Sequence, residues 1–135
     1  MILIFGGAYQ GKLEYALEKI NASKDDVLDL KAETAEGSEM PDSDTVAFDR
    51  PVIYGFERYL LLLVREEKDP VETVRSRLPE LRDKVVIADD VSQGLVPMDP
   101  EERAYREACG RVLVLLAQEA STVIRVFCGI ADVIK

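Results

Sequence analysis

The chain has 135 residues, 47% apolar and 32% charged, which suits one domain with a single buried core and a solvated exterior. With 17 basic and 26 acidic residues the net charge is −9, which argues against non-specific binding to nucleic acid or to an anionic membrane, because both need a basic face. The absence of histidine removes the usual general base, the commonest metal ligand and any histidine-borne phosphoryl or nucleotidyl intermediate.

Residues 1–5 form an apolar run of the kind found in a strand buried on both faces. Gly6 to Gly11 break that run, and residues 12–20 then show helical spacing, with Leu13, Ala16, Leu17 and Ile20 on one side. Residues 27–30 and 45–48 read as short strands, separated by an acidic, apolar-poor loop over 31–44. The pattern predicts a mostly buried helix over 52–67, interrupted at Gly55, whose Tyr54, Phe56 and Tyr59 belong to the core. A surface helix over 69–83 is signalled by Asp69 as N-cap, Pro70 and Glu72, with Pro79 expected to end or kink it. Residues 84–88 read as a strand closed by Asp89 and Asp90. Asp99-Pro100-Glu101-Glu102 repeats the helix-start signal for a helix to about Ala120. Residues 122–128 are a last major strand, and 133–135 a short edge strand.

Strands alternating with helices predict an α/β fold with a largely parallel sheet flanked by helices, a single P-loop NTPase-like domain over residues 1–135. Cys109 and Cys128 are too few and too far apart for a zinc site or a disulfide framework, and both are expected as buried thiols. No signal-like segment precedes the first strand, and the longest apolar run, residues 60–64, is far short of the roughly 20 residues that span a bilayer. A soluble, cytoplasmic protein is the expectation.

Gly6-Gly7-Ala8-Tyr9-Gln10-Gly11-Lys12 fits the G-x-x-x-x-G-K pattern of a phosphate-binding loop. Small residues let successive backbone N–H groups converge on a phosphate, the following helix adds its positive end, and the lysine reaches the terminal phosphates. The placement between an apolar strand and an amphipathic helix supports a nucleotide ligand, GTP or ATP. The pattern next requires Ser or Thr, whose hydroxyl ligates Mg²⁺, whereas this chain has Leu13, which cannot. Two strand-end positions are candidate metal ligands: Asp49 after residues 45–48, and Asp90 of the Asp89-Asp90 pair.

Residues 2–12 resemble the start of the bifunctional adenosylcobinamide kinase/adenosylcobinamide-phosphate guanylyltransferases. Asp90-Val91-Ser92-Gln93-Gly94-Leu95-Val96-Pro97 is similar to that family's acidic-Val-Gly-x-Gly-Ile-Val-Pro segment. Arg103-Ala104-Tyr105-Arg106-Glu107, Gly110-Arg111-Val112 and the closing Val126-Phe127-Cys128-Gly129-Ile130 follow in the family's order, and the likeness covers about the first 17 and last 50 residues. The resemblance implies an enzyme of cobalamin synthesis that phosphorylates the aminopropanol arm of adenosylcobinamide and then attaches GMP through a histidine, and it sets Asp49 at the family's strand-end aspartate. The departures fall on polar working positions: Leu13 for the loop serine, no histidine, Ser92 for the first glycine, and Leu113-Val114 for an Asn-Gln pair. A member without guanylyltransferase activity and with reduced or lost kinase activity is therefore expected, binding a nucleotide or phosphate and a corrinoid and forming a homo-oligomer. The alternatives are a working adenosylcobinamide kinase with an altered metal site and a non-catalytic assembly or regulatory subunit.

Overall fold

Strand β1 (Ile2–Gly6) is the hub of the molecule. In the computed structural model, which describes residues 1–91 and 99–135, it lies between β4 (Val85–Asp89) and β5 (Thr122–Phe127), parallel to both. With β2 (Val27–Asp29), β3 (Val52–Tyr54) and β6 (Ile130–Val133), the sheet order is β2-β3-β4-β1-β5-β6, and β6 runs antiparallel to β5. Successive side chains of a strand point to opposite faces. Leu3, Ile53, Val86 and Val123 accordingly pack under α3 (Phe56–Arg65), α4 (Pro70–Leu81) and α5 (Pro100–Glu119). Their neighbours Ile4, Val52, Ile87 and Ile124 pack on the opposite face with Ala16 of α1 (Lys12–Ile20). Both faces are covered, as the unbroken apolar runs require. The result is a small α/β domain with a mostly parallel six-stranded sheet flanked by helices, consistent with a P-loop NTPase-like fold.

The start signals of α4 and α5 operate as the sequence predicts. The Asp69 carboxylate accepts the Glu72 N–H at 3.2 Å, and that of Asp99 accepts the Glu101 N–H at 3.0 Å. Pro79 does not end α4, which runs to Leu81; the missing N–H falls in the last turn, where only one intrahelical bond is lost.

Three elements differ from expectation. Residues 45–48 are not a strand: Ser43–Thr45 is a 3₁₀ turn, and Val46 and Phe48 drop into the core as loop residues. Phe48 packs edge-on against Tyr59, ring centroids 5.2 Å apart, under the Arg77 guanidinium, which also donates to the Val46 carbonyl at 2.7 Å. The third strand is instead Val52–Tyr54, inside the predicted helix over 52–67. Gly55 separates strand from helix, because its φ of 79° is the left-handed conformation that interrupts both. Finally, the presumed loop over 31–44 opens with a one-turn helix, α2 (Leu30–Glu33), capped by the Asp29 carboxylate, which accepts the Ala32 N–H at 3.0 Å. Other readings shift less: the edge strand is Ile130–Val133 rather than 133–135, and Cys109 is buried but Cys128 is exposed. Phe56 and Tyr59 are buried core residues. Among the described residues no helix is long and apolar enough to cross a membrane. The segment over 92–98, with Ser92 and the Gly94-to-Pro97 run, lies outside the described residues.

From β1 the chain passes through α1 to β2 at the far edge, returns through β3 and β4, and then crosses to β5 on the other side of β1. The connections reverse direction at the C-terminal end of β1, the topological switch point at which open α/β sheets bind ligands.

Candidate functional site

The Gly6-to-Lys12 loop begins at that switch point. At Gly6 the backbone has φ 154°, and a Cβ there would meet the Val126 carbonyl oxygen at 2.3 Å, so only glycine lets the loop leave β1 against β5. Gly11, with φ 86°, occupies the N-cap of α1 without a side-chain cap. Between them Tyr9 is also left-handed, with φ 59°, and its ring is fully exposed. Gln10 anchors the loop to the β5–β6 hairpin: its side-chain oxygen accepts the Cys128 N–H, and its carbonyl accepts the Gly129 N–H at 3.0 Å. Cys128 and Gly129 both have positive φ, as a two-residue primed hairpin turn requires. Ala8 and Tyr9 form a turn, and the N–H groups of Gly7, Ala8, Tyr9 and Gly11 donate to no described residue.

Lys12 turns back under the loop and is only 4% exposed. Its ammonium donates to the Gly7 carbonyl at 2.5 Å and lies 2.7 Å from Oδ1 of Asp89, the last residue of β4 and the partner of Gly6 in the ladder. The other carboxylate oxygen, Oδ2, accepts a bond from Lys31 of α2 at 2.6 Å. The Lys31 ammonium also sits 5.0 Å from the centre of the Tyr54 ring. Behind Asp89, the buried Glu57 in the first turn of α3 accepts the Asp89 N–H through Oε1 at 2.9 Å, while its Oε2 has no partner among the described residues. Four elements thus contribute one charge cluster: α1, α2, α3 and the end of β4.

Burial acts to raise the Asp89 carboxyl, but the hydrogen bonds from Lys12 and Lys31 outweigh it and hold the group below the usual carboxylate range. Lys31 is shifted up: burial disfavours its charge, and the bond to Asp89 with the nearby Glu57 carboxylate more than offsets that. Glu57 is also raised, by burial first and then by the charge of Asp89. Behind it, burial pushes the Cys109 thiol up to about 12, so this cysteine is an inert packing residue.

The residues present do not fit a bound Mg²⁺. Leu13 supplies no hydroxyl and packs its side chain beside the α1-face core. Asp89 is the carboxylate at the right strand end, but both its oxygens are taken by ammonium groups. A divalent ion placed about 4 Å from either ammonium would be repelled by about 8 kcal/mol at an effective dielectric of 20. Among the described residues no group of three His, Cys, Asp or Glu side chains could hold a metal. Asp49 is not brought to the loop. It is exposed and precedes β3, at the N-terminal end of the parallel strands, whereas Gly6 lies at their C-terminal end, because the strand expected to carry it does not form. Asp90 donates its N–H to the Gly6 carbonyl at 2.8 Å and lines a cleft of about 490 Å³ with Gly7, Arg125 and Asp132, a cleft that Lys12 does not line.

A second cleft, of about 310 Å³, opens along the outer side of the loop between Gly11, Lys12, Leu13 and Tyr54. The structure therefore adds Asp89, Lys31, Glu57 and Tyr54 to the loop read from sequence. Glu57 left a signal, a lone carboxylate amid Phe56, Tyr59 and Leu60, and Lys31 left one in Asp29, a cap two residues before it.

No curated protein matches this chain. The sequence model described as "Cobinamide kinase / cobinamide phosphate guanyltransferase" matches residues 60–134, which run from within α3 past the end of β6 and leave out the Gly6-to-Lys12 loop. That match takes in more than half of the chain, and with it the chain belongs to the cobinamide kinase / cobinamide phosphate guanyltransferase family.

Proposed function

We propose that this family member binds the phosphates of GTP or ATP in the Gly6-to-Lys12 loop, has no guanylyltransferase activity, and has reduced or lost kinase activity toward adenosylcobinamide. The reading rests above all on Lys12, an almost fully buried ammonium bonded to the loop's own Gly7 carbonyl at the switch point of the sheet. Asp89 and the Gly7 carbonyl offset the cost of burying that ammonium in the free protein, and its place under the loop sets it where a bound phosphate would meet it. Transfer of GMP through a histidine has no residue to carry it, since the chain contains none. Phosphoryl transfer depends on positioning and charge neutralisation around the ion that bridges the phosphates, and Leu13 withdraws one of that ion's ligands. A corrinoid as second ligand follows from the family alone.

The test is calorimetric titration of GTP and ATP into the parent and into Lys12→Ala, beside a radiolabel assay with adenosylcobinamide. Lys12→Ala should weaken nucleotide binding by about 1.5–3 kcal/mol, the scale of a hydrogen bond to a charged group. Equal affinity in the two proteins refutes the loop site, and robust Mg²⁺-dependent phosphorylation by the parent refutes the loss of kinase activity.

An assembly role is a second reading, favoured by the outer edge of the sheet. Phe127, Ile130, Val133 and Ile134 are each more than half exposed on the β5–β6 hairpin and the residues just after it, an apolar strand edge of the kind that pairs with a second copy. Light scattering of the parent and of Ile130→Lys distinguishes a homo-oligomer held at that edge from a monomer.

A further inference from the structure

We propose that the Lys31 ammonium takes the place of the divalent cation, so that the loop receives an unchelated di- or triphosphate gripped between Lys12 and Lys31, with Asp89 as their shared counter-ion. This rests on the loop being the phosphate site.

The two ammonium groups approach opposite oxygens of one carboxylate, at 2.7 and 2.6 Å, so they are separated by no more than a carboxylate and its two ion-pair contacts. Their burial is unequal. The Lys12 side chain is 3% exposed and that of Lys31 is 26%. Lys31 is thus the arm with room to extend a further N–H to an incoming anion while its bond to Asp89 holds, and Lys12 stays paired beneath the loop. The route of its side chain is built into the fold. A Cβ on Gly55 would come within 2.7 Å of Lys31 Cγ and 3.0 Å of its backbone nitrogen, so glycine at that point lets Lys31 cross the end of β3. Beyond it, Lys31 meets the face of Tyr54, and Tyr54 is a wall of the cleft that also contains Lys12. The cluster sets two ammonium groups on one carboxylate, Asp89, with the acidic Glu57 behind it bonded to the Asp89 backbone rather than to either ammonium. A free polyphosphate meets both ammonium groups with its full charge, whereas in a magnesium chelate the ion already neutralises part of the charge they would bind.

Inorganic tripolyphosphate, GTP and ATP are titrated into the parent, Lys31→Met, Lys31→Arg and Lys12→Ala, each in EDTA and in excess Mg²⁺. The parent should bind in EDTA at least as tightly as in Mg²⁺. Lys31→Met should lose about tenfold in EDTA and regain part of it in Mg²⁺, because Asp89 then has a free oxygen for the ion. Lys31→Arg should stay within about threefold of the parent. Tripolyphosphate bound as tightly as the nucleotides makes the polyphosphate the recognised group; tighter nucleotide binding shows that base and ribose contribute as well, and both agree with the proposal. A parent whose binding requires Mg²⁺ overturns it without recourse to any variant. So does Lys31→Met with parental affinity while Lys12→Ala is weakened, a result that leaves the loop reading standing. No binding by the parent in either buffer overturns both.

Discussion

Replacing Asp89 by Asn tests the charge cluster most directly, because it keeps the shape of the side chain and removes only its charge. In the parent, Asp89 is 8% exposed and neutralises the Lys12 side chain, itself 3% exposed, and the Lys31 side chain, 26% exposed. Breaking a buried ion pair by removing one partner costs about 3–5 kcal/mol, since the survivor is left uncompensated. Here the low end applies: Lys31 can relax into water, and Lys12 keeps its bond to the Gly7 carbonyl. A loss of about 3 kcal/mol in a chain of this size lowers the melting temperature by about 12 °C. The variant should also respond to anions more strongly than the parent, because two ammonium groups now lack a counter-ion. Sulfate at a hundred times its dissociation constant would restore about 2.7 kcal/mol. Urea melts of parent and Asp89→Asn at pH 7, with and without sulfate, provide the measurement. A variant within about 1 kcal/mol of the parent, with the same sulfate response, refutes the cluster as described.

Two further outcomes follow from neighbouring residues. Gly55→Ala places a Cβ 2.7 Å from Lys31 Cγ at a φ of 79°, so left-handed strain of about 1–2 kcal/mol adds to displacement of Lys31; a loss of stability below about 1 kcal/mol in a urea melt counts against this packing. Glu57 has a folded pKa raised by burial above its unfolded value of about 4.3, so the native state holds the extra proton, and stability should fall as pH rises from about 4 through the folded pKa and then level off. Glu57→Gln should abolish that slope in urea midpoints measured across this range, and an unchanged slope assigns it elsewhere. Asp89 does not confound the result: its folded pKa is depressed, so its contribution is present above about 3.9 and is lost only as pH falls further, through the folded value.

What the sequence made legible was local. The β1–loop–α1 unit, β4, the capped starts of α4 and α5, and β5 each carry their signal within a few consecutive residues, as an apolar run, a glycine turn or an Asp-Pro start. Strand β3 carried none of comparable strength. It is three residues long and leads through one glycine into α3, so Val52 to Leu63 reads as a single apolar helical face, and only the left-handed backbone of Gly55 divides it. Misplacing that strand displaced Asp49 with it. Lys31 was hidden for a different reason: its partner Asp89 lies 58 residues away, and the two meet only because β2, β3 and β4 are neighbours in the sheet. The sequence does not separate Asp89 from Asp90, because alternation at a strand end does not say which of two adjacent carboxylates turns toward the loop.

Leu13 and Lys31 acquire a common explanation once the sheet brings them to one place. A hydroxyl after the loop lysine is useful only to hold a hydrated cation, and without the cation that position is free to join the apolar face of α1, as Leu13 does. Beside Lys12 alone, the carboxylate at the end of β4 would keep Oδ2 without a partner, and Lys31 supplies it. Either change by itself is unfavourable: leucine without Lys31 leaves Asp89 half paired, and Lys31 with a metal-binding hydroxyl sets two cations against each other. Together they preserve a positive field under the loop while removing its dependence on a diffusible ion. This coupling explains why the strands, glycines and loop lysine can persist in a chain whose metal-binding positions have changed.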